Sequence, residues 1–235
     1  IQNELVIQTI VQNARNFDIP VIIVGGQRDD CISIRFDQEQ GFEAMVRHMV
    51  EDHHMTDLHF MAGMRNNEFS DHRKEVFFKV MREHNLTADE SVVSYGDFWS
   101  APAEEATEKI IASGKLPQAI ICANDKMAIA VSNTLLNHGI RVPEDILVTG
   151  FEATQEAAIN PLSVTSFESN MVKVAAEAVD VICSKIDPKK EIIPFDCKEK
   201  DYMHAGMSCG CDPDFIHSAS AFKDSFYFLN YDWSR

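Results

Sequence analysis

Apolar and polar residues follow two rhythms along this chain: short apolar runs of strand length, and longer stretches with an apolar residue at every third or fourth position. The clearest example covers residues 120–152. The run Ala119 to Ala123 reads as a buried strand. It passes through Asn124-Asp125 into a stretch with Met127, Ala128, Val131 and Leu135 on one helical face. Gly139 suits the left-handed residue that ends a helix. The turn Val142-Pro143-Glu144-Asp145 then leads to a second apolar run, Ile146 to Val148, which closes at Gly150-Phe151-Glu152. Strand, helix, strand in that order predicts a parallel pair joined by a right-handed crossover. Open parallel sheets bind ligands outside the carboxyl ends of their strands, and here those ends carry Asp125 and Glu152.

The alternation extends in both directions. Ile7, Ile10, Val11 and Ala14 predict a helix over 5–17, followed behind Pro20 by a strand from Val21 to Val24 and by a second short run from Cys31 to Phe36. Phe42, Met45, Val46, Met49 and Val50 form a helical stripe that packs on a sheet. Leu58 to Met61 is the next strand. A helix beginning near Ser70-Asp71 then holds Arg73 in its first turn, with Val76, Phe77, Val80 and Met81 as its apolar face. An arginine there opposes the helix dipole, which favours a functional role over a salt bridge to Asp71 or Glu75. Val92 to Tyr95 reads as a strand and Pro102 to Ser113 as a helix ended by Gly114. After a loop to Pro161 and the segment Leu162 to Phe167, the fullest stripe of the chain follows: Val172, Ala175, Ala176, Val179, Ile182, Cys183 and Ile186. Ile192 to Phe195 and Tyr202 to Ala205 are expected to pair as closing strands.

Composition narrows the function. With 235 residues and 45% hydrophobic content the chain can bury a sizeable core. A net charge of −16 argues against nucleic-acid binding by this segment, because phosphate contacts need a basic surface. No apolar run is long enough to span a membrane, and the N-terminus lacks a signal-peptide pattern. Of the six cysteines, Cys122 and Cys183 fall inside apolar periodic segments, which fits a reduced, cytoplasmic chain. Asp52, His53, His54 and His59 lie close in sequence, but neighbouring histidines in a loop face different ways and zinc needs converging ligands. Cys209 and Cys211 are two thiols, an incomplete metal site, so no metal and no cofactor is expected. Dinucleotide and phosphate-cradling glycine motifs and the nucleophile elbow are all missing.

The succession Asn124-Asp125, Met127-Ala128, Gly139-Ile140-Arg141-Val142-Pro143-Glu144-Asp145 and Gly150-Phe151-Glu152 resembles the effector domains of the LacI/GalR family of bacterial regulators. The resemblance runs from Leu5 to about Cys211. Asp37-Gln38-Glu39-Gln40-Gly41 is similar to the family's crossing into its second lobe, Gly96-Asp97-Phe98-Trp99-Ser100 to its Gly-Asp-aromatic segment, and Leu162 to Phe167 to its return crossing. Departures are Gln38 for Asn, Val76 for Gly, Glu152 for Asp, and Gly25-Gly26 where a carboxylate often stands. The resemblance implies an α/β, two-lobed periplasmic-binding-protein-like fold with parallel sheets flanked by helices. The N-terminal lobe, 1–36 plus about 166–190, is expected to be incomplete, since the family's first βα units are not in the chain. The C-terminal lobe is 37–165 plus about 191–211, and the aromatic tail 212–235 is expected to pack on the domain or a partner.

The resemblance further implies a small-molecule, sugar-like effector, closure of two lobes passed to an output module, and a homodimer, while charge and hydropathy lead us to expect neither nucleic-acid nor membrane contact from this segment. It assigns ligand binding to Arg73, Asn124, Asp125 and Glu152, with Trp99, or else Phe98, as the aromatic platform while the other ring packs inward. Carboxylates accept hydroxyl hydrogens, an arginine donates in a fork and an asparagine does both. Alternatives are the input domain of a diguanylate cyclase or histidine kinase, suggested by Ser208-Cys209-Gly210-Cys211, a transport solute-binding protein, and an enzyme using Asp125 and Glu152 as acid and base. Arg73→Ala and Asp125→Ala are expected to abolish ligand binding and leave the fold intact.

Overall fold

The computed structural model describes residues 4–25, 28–34, 38–168, 171–187, 189 and 202–211. In chain order the elements are α1 (Glu4–Asn16), β1 (Ile22–Val24), β2 (Ile32–Ile34), α2 (Glu39–Arg47), β3 (Leu58–Ala62), α3 (Glu68–Glu83), β4 (Val93–Tyr95) and α4 (Ser100–Ala112). They continue with β5 (Ala119–Cys122), α5 (Asp125–Asn137), β6 (Leu147–Thr149), α6 (Gln155–Ile159), β7 (Ser166–Glu168), α7 (Met171–Ile186) and β8 (Tyr202–His204). The chain divides into two compact units, Ile1–Gln38 with Asn170–Lys200 and Glu39–Ser169 with Asp201–Arg235.

The larger unit is built on a four-stranded parallel sheet of order β4-β3-β5-β6. β5 is apolar on both faces and β3 is so except for His59, as a sheet covered on both sides requires. The chain leaves β3 toward β4 on one side, then returns past β3 to β5 and β6 on the other. Right-handed crossovers then put the leftward connection α3 and the rightward connections α4 and α5 on opposite faces. The helices pair accordingly, α2 with α3 and α4 with α5. Reversal of direction between β3 and β5 makes their carboxyl ends the topological switch point, where the outgoing loops diverge.

Local chemistry sets the element boundaries. Asn67 caps α3, its side-chain oxygen accepting from the Phe69 and Ser70 amides at 3.1 and 3.2 Å. The helix therefore starts at Glu68, and Arg73 lies in its second turn. The dipole conflict read from the sequence is thereby removed. Gly139 takes the left-handed conformation expected of it, φ 75°. Between the sheet and α2–α3 runs a chain of rings: Phe77 stacks on Phe60 at 5.4 Å, and Phe42 meets Phe60 and Phe151 edge-on at 5.5 and 5.6 Å.

One expectation falls outside the described residues and one changes. β8 pairs antiparallel with β7 in the larger unit, while its expected partner, Ile192 to Phe195, lies outside the described residues. The stripe on α7 is also not a buried one: Val174 is the buried side chain of that helix, whereas Val179 and Ile186 are exposed. Among the described elements of the smaller unit the main neighbour of α7 is β1, a strand of three residues in a two-stranded sheet, too small a surface to cover so wide a stripe.

Gly206 shows how closely the segment after β8 approaches the sheet, since a Cβ there would stand 1.8 Å from the Ser163 carbonyl oxygen. Neither backbone can yield cheaply, so Gly206→Ala is expected to destabilise the larger unit by about 1–3 kcal/mol, measured by urea unfolding.

Candidate functional site

The carboxyl ends of β4, β5 and β6 bring five of the six sequence-assigned residues to one edge of the sheet, and α3, which follows β3, brings Arg73. That guanidinium, 5% exposed, donates a hydrogen bond to the carbonyl of Ala123, just past the end of β5, and lies 4.5 Å over the Phe151 ring. It thus occupies the switch point itself. Burial pulls its pKa down to about 10, opposed by the negative charges of Glu152 and Asp125, and it stays protonated at neutral pH.

Asn124 and Asp125 have local duties. Asn124 caps α5, its Oδ1 accepting from the Met127 amide at 3.0 Å while its Nδ2 donates to the Phe98 carbonyl at 3.3 Å. Asp125 is 0% exposed. One carboxylate oxygen accepts from the Ser166 hydroxyl at 2.5 Å and the other from the Thr154 amide at 2.6 Å. Burial pushes its pKa up against those hydrogen bonds, which favour the ionised form. Gly150 passes so close that a Cβ there would meet Asp125 Oδ1 at 2.2 Å. The expectation that Asp125→Ala would leave the fold intact is therefore corrected: this carboxylate ties the starts of α5 and α6 to β7.

Glu152 is exposed by surface area and stands at φ 106°, with Ala153 next to it at φ 46°. Desolvation raises its carboxyl pKa, Arg73 lowers it, and Asp125 raises it again. The loop after β4 is also left-handed at two successive residues, Asp97 at φ 53° and Phe98 at φ 62°. Conformations of this kind cost about 1–3 kcal/mol each and concentrate at functional sites.

The two aromatic rings separate. Phe98 is half-buried over Gly63, whose added Cβ would fall 2.0 Å from the ring. Trp99 is 59% exposed and carries the Lys126 ammonium 4.6 Å from its ring centroid. Lys126 was not singled out in the sequence, because a lysine early in a helix is ordinarily a solvated charge; its only signal is adjacency to Asn124-Asp125.

Comparison with known proteins places the family and the fold. The family described as periplasmic binding protein-like domain matches residues 46–194. Over 184 residues the chain is 27% identical to the HTH-type transcriptional repressor PurR of Aliivibrio salmonicida, covering 77% of this chain and 55% of that protein. The chain thus spans about half the length of the curated relatives it matches. Its fold is similar to that of a LacI-type transcription regulator from Bifidobacterium animalis subsp. lactis, with a TM-score of 0.74, 20% identity, and coverage of 88% of this chain and 85% of that one. It is also similar to the transcriptional regulator CelR in complex with cellobiose, with a TM-score of 0.73, 16% identity, and coverage of 88% and 71%.

Two outcomes follow from this geometry. Asp125→Ala strands the Ser166 hydroxyl and the Thr154 amide and is expected to cost about 2–3 kcal/mol in urea unfolding, whereas exposed Trp99→Ala stays within about 0.5 kcal/mol. For Glu152, whose folded pKa is raised above the ordinary 4.5, the associated stability is present below 4.5 and is lost as pH rises through the raised value. Glu152→Gln removes that dependence. Chemical unfolding at a series of pH values should show the variant gaining on the parent from pH 4.5 upward, and a constant difference would refute it.

Proposed function

Because the chain belongs to the periplasmic-binding-protein-like domain family, in the form carried by LacI-type transcriptional regulators, we propose that it is an effector-binding domain taking a small polyhydroxylated ligand at the carboxyl ends of β3 to β6. The single observation that supports this reading most is the position of Arg73. A guanidinium held at the topological switch point of a parallel sheet, with the Glu152 and Asp125 charges close enough to act on it, is poor economy for a fold and good chemistry for recognition. Arg73 supplies fork donors, Glu152 a carboxylate acceptor, and Trp99 an exposed flat face of the kind that covers the apolar side of a sugar ring. Asn124 and Asp125 act mainly by holding the loops that carry these groups. The two strained loops, at Asp97-Phe98 and Glu152-Ala153, fit the same assignment.

Ligand binding would be passed to an attached output module through a change in the mutual arrangement of the two lobes. Pairing with a second copy is supported by the exposed apolar residues Val6, Ile10 and Val179 of the smaller unit. CelR, in its complex, holds a disaccharide; for this chain a sugar or sugar acid is the class proposed.

A thermal-shift screen of monosaccharides, disaccharides, sugar acids and purines tests the reading, with calorimetry on the hits. A hit should lose about three- to tenfold in affinity in Trp99→Ala. In Arg73→Lys, which keeps the charge opposite Glu152 but removes the fork, it should lose about ten- to a hundredfold. A ligand bound equally well by both variants lies elsewhere and overturns the assignment.

A further inference from the structure

The corner between α2 and β3 gathers four side chains from opposite ends of the larger unit. At His48 helix α2 widens into a π-helical turn, His48–Asp52, closed by the His53 amide donating to the His48 carbonyl at 3.1 Å. Residues five apart in an α-helix point about 140° away from each other. The wider i→i+5 turn returns the fifth residue nearly over the first. The two imidazoles accordingly meet edge-on, with centroids 4.6 Å apart and Nε2 atoms separated by 3.1 Å.

Far along the chain, a tight turn at Met207–Cys209 and left-handed Gly210, φ 76°, turn both thiols toward the same point. Ser208 fixes this segment, its hydroxyl donating to the Val148 carbonyl at 2.6 Å and accepting from the Thr165 amide at 2.8 Å. Cys211 Sγ lies 3.4 Å from His48 Nε2 and 3.3 Å from His53 Nε2, and Cys209 Sγ lies 3.8 Å from His48 Nε2. All four ligand atoms fall within 4.8 Å of one another.

We propose that His48, His53, Cys209 and Cys211 form a tetrahedral zinc site that pins the segment after β8 to the corner between α2 and β3. Zinc bonds of about 2.0–2.1 Å to nitrogen and 2.3 Å to sulfur require tetrahedral edges of about 3.4 Å between nitrogens and about 3.5 Å between nitrogen and sulfur. Four of the six edges, at 3.1 Å and 3.3–3.8 Å, lie within about 0.3 Å of these values, and the two that include Cys209 with His53 or Cys211 are within 4.8 Å. Two thiolates and two imidazoles are the donor set zinc takes, and magnesium and calcium do not.

The surroundings fit the same ion. Asp52 Oδ2 stands 2.7 Å from His48 Nδ1. It accepts that proton and leaves Nε2 with its lone pair toward the cluster, the carboxylate–histidine arrangement that orients zinc ligands. The Thr165 hydroxyl lies 2.9 Å from Cys209 Sγ. Four protein ligands leave no open position, so the site is structural and not catalytic. The other two residues of the sequence cluster are elsewhere engaged or turned: His59 Nε2 pairs with the Ser94 hydroxyl at 2.9 Å, and His54 adopts φ 55°. The sequence expectation of no metal took Cys209-Cys211 and the histidines separately, 161 residues apart at His48 and Cys209, and took loop geometry where a π turn is found.

The test is elemental analysis of the whole chain produced with zinc, then desalted. The expected result is stoichiometric zinc, lost from Cys211→Ser and His53→Ala, whose half-buried side chains can be replaced with the far-ultraviolet dichroism unchanged. Cobalt exchanged into the parent should show the visible bands of a tetrahedral thiolate site, missing in both variants. Should a variant fold poorly, the parent alone decides: zinc should shield the half-buried Cys211 from iodoacetamide, as mapped by mass spectrometry, until a chelator is added. Parent protein without zinc, variants that keep it, a Cys211 thiol equally reactive with and without chelator, or a Cys209–Cys211 disulfide in the unreduced chain would each overturn the proposal.

Discussion

A carboxylate with no access to water holds the carboxyl edge of the larger unit's sheet in shape. Asp125 opens α5, accepts from the first residues leading into α6, and accepts from Ser166 at the start of β7. Three connections that leave the sheet at different points therefore share one acceptor. An enclosed charge of this kind is tolerated only while its donors stay in place, so the loops after β5 and β6 cannot relax independently.

Arg73 depends on that rigidity. It is buried against the Ala123 carbonyl and the Phe151 ring, and Phe151 is itself fixed by Phe42 on one side and stacked on Phe167, 6.0 Å away, on the other. The ring series from Phe77 through Phe60 and Phe42 thus ends under the guanidinium. The core and the charged edge are one packed assembly. The cost of burying the charge is met by a carbonyl, an aromatic face and nearby carboxylates in place of water.

Much of this was legible because parallel βα units write both periods into the sequence: β3 and β5 as apolar runs, α2 and α3 as stripes, Gly139 as a terminator. The match Asn124 to Glu152 also located the ends of β5 and β6, where the proposed site lies. What the sequence hid was whatever depends on contacts distant along the chain. Asp125 looks like any ligand carboxylate until Ser166 and Thr154 are seen around it. Asn67, three residues before Ser70, competes with it as a cap on equal chemical terms. Phe98 and Trp99 are adjacent and equivalent in composition, and only the bare surface of Gly63 decides which ring turns inward. His48 sits inside an apolar stripe, and no local pattern announces the widened turn that aims it at His53.

Residues 163–165 and 206–209 have a role apart from ligands. β6 ends the four-stranded sheet, and a strand in that position offers unpaired amides and carbonyls to any passing chain. Here Thr165 bridges to Thr149, the Gly150 amide donates to the Thr165 carbonyl at 2.8 Å, and the Ser208 hydroxyl takes the Val148 carbonyl. That rim is hemmed by the chain's own later residues, so the molecule is guarded on that side against the strand-to-strand stacking from which insoluble fibres grow.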